Sequence, residues 1–317
     1  MADQTAFVDV HSVHLDYVLS RPWFYFFGGN KSTHSALNNI TFQLPQATQC
    51  TLFGHSAAGK SSLLRLLTGQ LLPSRGRITI NGRRPGDFKG LSAGYVSAEE
   101  TENSRDTGYQ VLQAYTSTHQ VSDAAERIRN VGDQMRLNEF LHRPADTLSL
   151  TQKLKLNLAR AAISDTPLIL LDDVTDQLGA KYIRNLLSET FAGRTVIVAT
   201  RQARAADVLQ LPVLLLHHGS LVHQGTIDEI SLDLSCPRVV DVWVEGLRYD
   251  MLRQLRHHTG VLEARLIPSH QFAGQRLRIT LYSARYLPAM YDLVSQAPLI
   301  KVLEIPPSLT DILPRLP

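Results

Sequence analysis

Apolar runs alternate with helix-like segments along the chain, and this pattern predicts an α/β protein. Strands are expected where apolar residues alternate or cluster over a few positions, at 7–15, 40–44, 50–53, 168–171, 195–199 and 213–216. Between about 107 and 160 the pattern is helical instead. Strands that are apolar at every position are typical of a parallel sheet with both faces covered. The chain therefore predicts a β-rich layer, a parallel-sheet core and a helical subdomain at about 100–165.

One short segment carries a turn signal. Ile80 ends an apolar run and is followed by Asn81 and Gly82. An Asn-Gly pair after a strand favours a two-residue hairpin turn. We therefore expect a β-hairpin at this point.

The C-terminal part of the chain has a different order of elements. A boundary is expected at Ser235, which gives domains 1–235 and 236–317. The second domain reads as strand, helix, strand, strand, helix, strand, at 239–244, 249–258, 262–267, 277–281, 286–295 and 299–303. This βαββαβ order predicts a small α+β domain of the ferredoxin-like type. We expect it to serve assembly rather than catalysis.

Composition limits the functional classes. The chain has 317 residues, 44% of them hydrophobic, and its 32 basic and 29 acidic residues give a net charge of +3. A charge this small, without a basic run interleaved with aromatics, argues against nucleic acid as a partner. The two cysteines suit a reducing compartment. No apolar run reaches the length of a membrane span and no signal peptide is apparent, so a cytoplasmic location is expected.

A phosphate-binding loop is the strongest chemical signal. Residues 54–61 match the pattern G-x-x-x-x-G-K-S, and with the next residue they are Gly54, His55, Ser56, Ala57, Ala58, Gly59, Lys60, Ser61 and Ser62. A strand precedes the loop and a helix follows it, so backbone N–H groups and the positive helix end face the phosphates. Lys60 is expected to reach the β and γ oxygens and the Ser61 hydroxyl to coordinate Mg²⁺. The sequence predicts a site for a nucleoside triphosphate.

Three other residues are notable for their order and spacing along the chain relative to this loop. Asp172 ends the apolar strand 168–171 and can hold Mg²⁺ through water. Ser149 precedes the helix-prone stretch 153–162, and Tyr17 closes the first strand-like segment. In this order and spacing, about residues 7–230 resemble the nucleotide-binding subunit of an ATP-binding cassette (ABC) transporter.

This resemblance implies a P-loop NTPase fold of the ABC type and a role for each residue. Tyr17 matches the aromatic that stacks on adenine, and residues 54–62 match the phosphate loop. Asp172 matches the aspartate on the magnesium side. Ser149 matches the serine of the signature segment, whose helix start faces the γ-phosphate held by the partner subunit. The family works as a dimer with two shared ATP sites, so the implied partners are a second ATP-binding subunit, identical or different, and an integral membrane permease.

The subtype remains open between two kinds of exporter. The segment 307–311, Pro-Ser-Leu-Thr-Asp, is similar to the tail of ATP-binding subunits that serve ABC-2 type exporters. Subunits that export polysaccharides also tolerate an insertion between the adenine-stacking aromatic and the phosphate loop, but their longer β-sandwich tails are absent here. The resemblance therefore favours an ABC-2-like subunit, peripheral on the cytoplasmic face of the inner membrane.

The chain departs from the family pattern at five points of the hydrolytic machinery, one of which covers two residues. Ala98, followed by Glu99, stands in place of a glutamine; Leu150 and Thr151 replace signature glycines; Asp173 replaces the general-base glutamate; Gly179 replaces an aspartate; and Arg201 replaces a histidine that clamps the γ-phosphate. Asp173 is one methylene shorter than glutamate, and general-base catalysis contributes about 10²–10⁴-fold. Arg201 can still touch a phosphate but cannot act as a neutral donor. We therefore expect the chain to bind Mg-ATP and to hydrolyse it slowly or not at all.

Two functions fit this pattern. The first is an ATP-binding subunit of a transport complex, in which ATP acts mainly as a dimerisation ligand. The second is a non-transport scaffold, a pseudo-ATPase that regulates a membrane-associated machine. An active homodimeric ATPase is disfavoured by the five departures.

An aromatic run at 23–27 lies in the insertion after Tyr17. Exposed, it would contact a partner or a membrane surface, and buried, it would pack on its own domain. We expect it to attach the chain to the membrane component.

Overall fold

The computed structural model of the chain describes residues 6–19, 32–88, 93–99, 104–164, 166–247, 249–268 and 274–316. The chain forms two compact units, Met1–Gln224 and Gly225–Pro317. The aromatic run at 23–27 lies outside the described residues, so its role stays a prediction.

The first unit contains nine named strands and seven named helices in the described residues. Its strands are β1 (Val8–Leu19), β2 (Ser32–Leu44), β3 (Gln49–Phe53), β4 (Arg75–Ile80), β5 (Gly94–Ser97), β6 (Leu168–Asp172), β7 (Thr195–Thr200), β8 (Val213–His217) and β9 (Ser220–Gly225). Its helices are α1 (Lys60–Leu67), α2 (Gly108–Thr118), α3 (Ala124–Gln134), α4 (Leu150–Ile163), α5 (Thr175–Leu178), α6 (Ala180–Glu189) and α7 (Ala203–Leu209).

A six-stranded sheet forms the centre of this unit, in the order β5-β6-β7-β3-β8-β9. β3 runs parallel to β7 and β8, and β6 runs parallel to β5 and β7. Every residue of β6 and β7 is buried, as expected for strands covered on both faces. The predicted parallel-sheet core is confirmed. The parallel direction of the strands brings the C-terminal ends of β3, β6 and β7 to one edge of the sheet. At this edge the phosphate loop follows β3, and Asp172 ends β6.

The β-rich layer is a three-stranded antiparallel sheet in the order β2-β1-β4. The predicted two-residue turn after Ile80 forms, but the hairpin does not continue into a second strand. Asn81 and Gly82 do adopt positive φ values, 48° and 73°, but only a single bridge joins Ile80 to Arg83. Pro85 then begins a short 3₁₀ helix, Pro85–Asp87, and proline has no N–H to extend a ladder. β4 therefore finds its partner in β1 instead.

The predicted helical subdomain corresponds to α2, α3 and α4. α2 and α4 each begin with a capping box, formed by Thr107 with Gln110 and by Ser149 with Gln152. One buried apolar cluster joins these helices to the sheet and includes Leu112, Ile128, Leu137, Leu154, Leu156, Leu158, Ile169 and Leu171. The subdomain is thereby fixed to the strand that ends in Asp172.

The second unit has a four-stranded antiparallel sheet. Its strands are β10 (Arg238–Val244), β11 (Val261–Ile267), β12 (Gln275–Leu281) and β13 (Leu299–Ile305), and its helices are α8 (Ile227–Asp233), α9 (Tyr249–His257), α10 (Leu287–Val294) and α11 (Leu309–Ile312). The sheet order is β11-β12-β10-β13, which places the first and third strands of the βαββαβ unit side by side at its centre. α9 and α10 pack on one face of the sheet, against Val240, Val242, Leu277 and Ile279. This is the predicted ferredoxin-like arrangement.

The border between the units lies earlier than residue 235. Helix α8 contacts α11, and the Asp228 carboxylate pairs with Arg238 at 2.9 Å. These contacts group α8 with the C-terminal unit, whereas the sequence pattern placed it in the first domain.

Candidate functional site

The loop between β3 and α1 is shaped by two glycines. At Gly59 the backbone has φ 101°, and an added Cβ would lie 2.6 Å from Leu37 Cδ2 and 2.7 Å from the Ala36 carbonyl oxygen. At Gly54 an added Cβ would lie 2.4 Å from the Leu216 carbonyl oxygen. Side chains are excluded at both positions, so the loop backbone packs closely against the neighbouring segments.

The crest of the loop is exposed. His55, Ser56 and Ala57 face solvent, and Ala57 has φ 62°. Ala58 is buried, and its N–H donates to the His55 carbonyl at 3.1 Å. This curled backbone, followed directly by α1, is the geometry that presents N–H groups to an anion.

Lys60 lies inside the loop. Its side chain is buried, and Nζ donates to the carbonyl oxygens of Gly54 at 2.8 Å and His55 at 3.1 Å. Burial lowers the pKa of this ammonium, and the carboxylates of Asp173 and Asp172 oppose the shift. The loop therefore closes around a cation that two carboxylates attract from the end of β6, which lies two strands from β3 in the sheet.

Asp172 and Asp173 supply carboxylate oxygens at the end of β6. Tyr95 Oη donates to Asp172 Oδ2 at 2.9 Å, and burial followed by the Asp172 charge raises the pKa of Tyr95. Asp172 Oδ1 and Asp173 Oδ1 are both buried, and neither has a hydrogen-bond partner in the part of the chain that the structure describes. Buried carboxylate oxygens left without a partner are costly, and they are the hard ligands that Mg²⁺ prefers. These residues fit a magnesium ion bound beside the phosphate loop.

Asp173 is held in an unusual backbone conformation. Its φ is 52°, and its N–H donates to the Ala199 carbonyl at 3.1 Å. Burial raises the pKa of its carboxyl group, while Lys60 acts in the opposite direction. The short side chain is therefore anchored at its backbone beside β7.

Arg201 follows β7 and is joined to α5. Its Nε and Nη2 both donate to Asp176 Oδ2, at 3.2 and 2.9 Å. The hydrogen bond to Asp176, followed by the charges of Asp176 and Asp173, raises the pKa of Arg201. Lys60, Asp173, Asp176 and Arg201 thus form one group of interacting charges at this edge of the sheet.

Tyr17 reaches the same site from β1. Its hydroxyl is hydrogen-bonded to Ser62 Oγ at 3.1 Å, and its ring packs against the apolar cluster that includes α1. Ser61 is half-buried in the first turn of α1. The structure therefore brings the predicted adenine-side aromatic to the phosphate loop.

Ser149 has a local role in the structure. Its Oγ accepts the Gln152 N–H at 3.3 Å, and Gln152 Oε1 accepts the Ser149 N–H at 3.0 Å. Leu150, at the first turn of α4, is 59% exposed. The contacts of Ser149 cap α4, so they do not join it to the residues around Lys60.

Two site residues were missed from the sequence. Tyr95 contacts Asp172 because β5 lies beside β6, and Asp176 meets Arg201 because α5 turns back over the end of β7. The strand order was not predicted, so neither contact could be. A polar residue within a short apolar strand, as at Tyr95, was the available signal.

None of the described helices is long and apolar enough to cross a membrane. In the described ranges, no group of three His, Cys, Asp or Glu residues has the arrangement of a metal site.

In sequence, the chain is similar to ATP-binding proteins of ABC transporters. Residues 37–176 match the family model described as ABC transporter. The chain is 26% identical over 234 residues to alr3946 of Nostoc sp., named as an ABC transporter ATP-binding protein, with 66% of this chain and 84% of that protein covered. It is 22% identical over 217 residues to the ABC transporter ATP-binding protein NatA of Bacillus subtilis, with 64% and 87% covered. The mouse organic anion transporter ABCA8B is 26% identical over 208 residues, but the match spans only 13% of that protein.

Solved structures share the fold at lower identity. CbiO1 of Clostridium perfringens, described as part of the ABC transporter complex CbiONQ, superposes with a TM-score of 0.58 at 21% identity and covers 71% of this chain and 90% of its own. The dimeric ATP-binding cassette MJ0796, described as bound to ADP and phosphate, gives a TM-score of 0.56 at 17% identity and covers 69% and 98%. The family match includes Lys60, Ser149 and Asp172, and it leaves Tyr17 and Arg201 outside.

Proposed function

Because the chain resembles the ATP-binding subunits of ABC transporters in sequence and in fold, we propose that it binds Mg-ATP as the ATP-binding subunit of an ABC-2-like transport complex. In this proposal ATP is bound between two such subunits, and hydrolysis is weak or absent. An integral membrane permease is the second partner, and the chain lies at the cytoplasmic face of the membrane.

The observation that carries the proposal is the arrangement around Lys60. A buried ammonium, a glycine-shaped loop and two carboxylate oxygens without a hydrogen-bond partner among the described residues meet at one sheet edge. Lys60 would hold the β- and γ-phosphates, while Ser61 and Asp172 would hold Mg²⁺. When bound, Mg²⁺ would neutralise phosphate charge at this edge. Tyr17 lies beside the loop, where it would contact the nucleoside.

Slow hydrolysis follows from the residues beside this binding half. Asp173 is tied at its N–H to Ala199 and carries one methylene less than glutamate, so its carboxylate is drawn back from where a base must reach water. Misplacement by about 1 Å can cost about 10²-fold in rate. Arg201 stays positively charged near neutral pH and donates a hydrogen bond to Asp176. It therefore cannot exchange a proton with water.

A scaffold without transport activity is the second candidate. The exposed Leu150 favours it, because a leucine at the start of α4 obstructs the close approach that a glycine would allow between this helix and a phosphate. Purification from membranes separates the two candidates. A transport subunit should co-purify with a multi-span membrane protein that moves a solute, and a scaffold should form a stable complex without one.

Calorimetry with Mg-ATP tests the binding site. Lys60→Ala should abolish measurable binding, because the site loses its buried cation. Arg253→Ala is the matched control, since it removes one positive charge from an exposed position of α9 and should bind as the wild type does. Equal affinity of the wild type and Lys60→Ala would exclude a phosphate site at this loop.

Turnover tests the second part of the proposal. Purified protein should hydrolyse ATP far more slowly than about 1 s⁻¹, the low end of ordinary enzyme turnover. Asp173→Glu alone should restore little, because Leu150 and Arg201 remain. A wild-type rate at or above this value that Lys60→Ala abolishes would show an active ATPase.

A further inference from the structure

The second unit has a sheet face that α9 and α10 leave uncovered. Both helices pack against the face that carries Val240, Val242 and Val244 of β10. Side chains alternate along a strand, so Asp241 and Trp243 point to the opposite face. The β-ladder registers place Arg276 beside Trp243 and Arg278 beside Asp241 on that face.

Basic side chains cross this face in two neighbouring rows. In the first, Lys301 of β13 lies opposite Trp243, which lies opposite Arg276. In the second, Arg265 of β11 lies directly opposite Arg278, which lies opposite Asp241. We call the four cations Arg265, Arg276, Arg278 and Lys301 the basic face.

A single buried carboxylate organises two of these cations. Asp241 is fully buried, and it accepts hydrogen bonds from Arg278 Nε and Nη2, both at 2.8 Å, and from Arg276 Nη2. The Arg276 guanidinium also lies 5.0 Å from the centre of the Trp243 ring. Arginines fixed in this way lose little further freedom when they bind an anion, so the site is preorganised.

Two arginines of the basic face, Arg265 and Arg278, face each other with little compensation of charge between them. Arg265 and Arg278 are like charges directly opposite each other, an arrangement that destabilises a sheet. Arg265 has a long ion pair with Glu263 at 3.8 Å, and both side chains are more than half exposed, so this pair contributes little. Arg276 Nε is buried without a hydrogen-bond partner among the described residues. An external carboxylate between Arg265 and Arg278 would relieve the repulsion of these two like charges.

Apolar side chains border the same surface. Leu303 lies opposite Asp241 and is 45% exposed, and Ile305 lies two residues further along β13. An occupant that matches the whole face therefore carries acidic groups beside apolar ones. The spacing follows the strands, which suits a peptide with alternating side chains.

From this complementarity we propose that the basic face binds an acidic segment of a protein partner, whose carboxylates lie between Arg265, Arg278 and Lys301. Three of the four cations are arginines, whose planar guanidinium matches carboxylates through paired hydrogen bonds. The unit has ten basic and ten acidic residues over 225–317, so it carries no net field of the kind that draws proteins to anionic membranes. Trp243 is only 4% exposed, so it offers no stacking surface to a nucleobase.

Fluorescence anisotropy with the full chain tests the proposal. The probe is a short labelled peptide in which glutamate alternates with serine and leucine, and a glutamine version serves as the uncharged control. Arg265→Glu and Lys301→Glu should each weaken binding by about tenfold, as is typical of contacts between opposite charges, and added salt should weaken it further. Arg253→Glu makes the same charge change on exposed α9 and should alter affinity by less than about twofold.

Each outcome decides the matter. Arg265→Glu removes the repulsion with Arg278, so it should fold at least as well as the wild type, and thermal unfolding checks this. No binding of the glutamate peptide up to about 1 mM, the weak end of specific association, overturns the proposal. Equal loss in Arg253→Glu also overturns it. A third result also overturns the proposal: the chain sediments with phosphatidylserine vesicles, this depends on Arg265 and Lys301, and the peptide does not bind. The occupant of the basic face is then a membrane.

Discussion

Replacing Asp241 by asparagine should destabilise the second unit strongly. The variant removes the charge that two guanidinium groups share, and it leaves Arg276 and Arg278 close together without an anion. Breaking a buried ion pair on one side costs about 3–5 kcal/mol. The side chains of Arg276 and Arg278 are 26% and 27% exposed, so water solvates part of their charge and the lower value, about 3 kcal/mol, is expected.

The stability loss should depend on pH in a definite direction. Burial alone would raise the pKa of Asp241, but the hydrogen bonds from Arg278 and Arg276 outweigh it and lower the pKa. The stabilisation is therefore present above the unfolded pKa, about 3.9, and is lost as the pH falls through the lower folded value. The difference between wild type and Asp241→Asn should shrink only when the pH is lowered below about 4.

Urea unfolding followed by tryptophan fluorescence measures this change. The chain has two tryptophans, and a Trp23→Phe background leaves Trp243, which is buried beside Arg276, as the reporter of the second unit. With a urea m-value of about 1–3 kcal/mol per molar, the midpoint should fall by about 1–3 M. Asp292→Asn on exposed α10 is the matched control and should shift it little. If Asp241→Asn shifted the midpoint no more than Asp292→Asn, the carboxylate would not organise the arginines as argued.

Two further predictions concern the phosphate loop and its neighbours. Gly59→Ala should abolish Mg-ATP binding in calorimetry, because its Cβ would meet Leu37 and the Ala36 carbonyl at a positive φ, whereas Gly86→Ala, with open space around it, should bind normally. Tyr95→Phe should lower the free energy of unfolding by about 1.5–3 kcal/mol, the value of a hydrogen bond to a charged group, because Asp172 Oδ2 would join Oδ1 without a partner. Saturating Mg-ATP should recover part of that loss if Asp172 binds the ion, and no recovery would argue against Asp172 as a magnesium ligand.

Features of the fold that depend on a single short segment of sequence could be predicted from that segment alone. The all-apolar runs at β6 and β7 required a sheet covered on both faces, and the structure confirms it. The βαββαβ order likewise predicted the second unit, because each element is short and separately bounded. The phosphate loop was visible because its backbone geometry depends on two glycines and a lysine at fixed spacing.

Contacts that depend on strand order were not predictable. Tyr95 on β5 contacts Asp172 on the adjacent strand β6, although the two strands are far apart in sequence. Arg201 contacts Asp176 from the end of β7. The basic face is hidden from the sequence for the same reason, since Asp241 is a single acidic residue within the apolar strand β10. Only the register of β10 against β12 places two arginines on it. The Asn81–Gly82 turn shows the opposite case, in which the local geometry formed as expected but Pro85 prevented a second strand.

The departures around Asp173 should affect binding and hydrolysis unequally, for a physical reason. Arg201 is more than half exposed and Asp176 is one-fifth exposed, and ion pairs at such positions contribute little to stability. A nucleotide phosphate would offer Arg201 charge-assisted hydrogen bonds at small cost, so the Asp176 pair is no obstacle to binding. The short side chain of Asp173 is not compensated in this way. Its backbone N–H is hydrogen-bonded to the Ala199 carbonyl, so its carboxylate cannot move outward to the position that a glutamate would reach. Under the proposed function, affinity for Mg-ATP would therefore persist while catalysis is weak, and ATP would act by holding two subunits together.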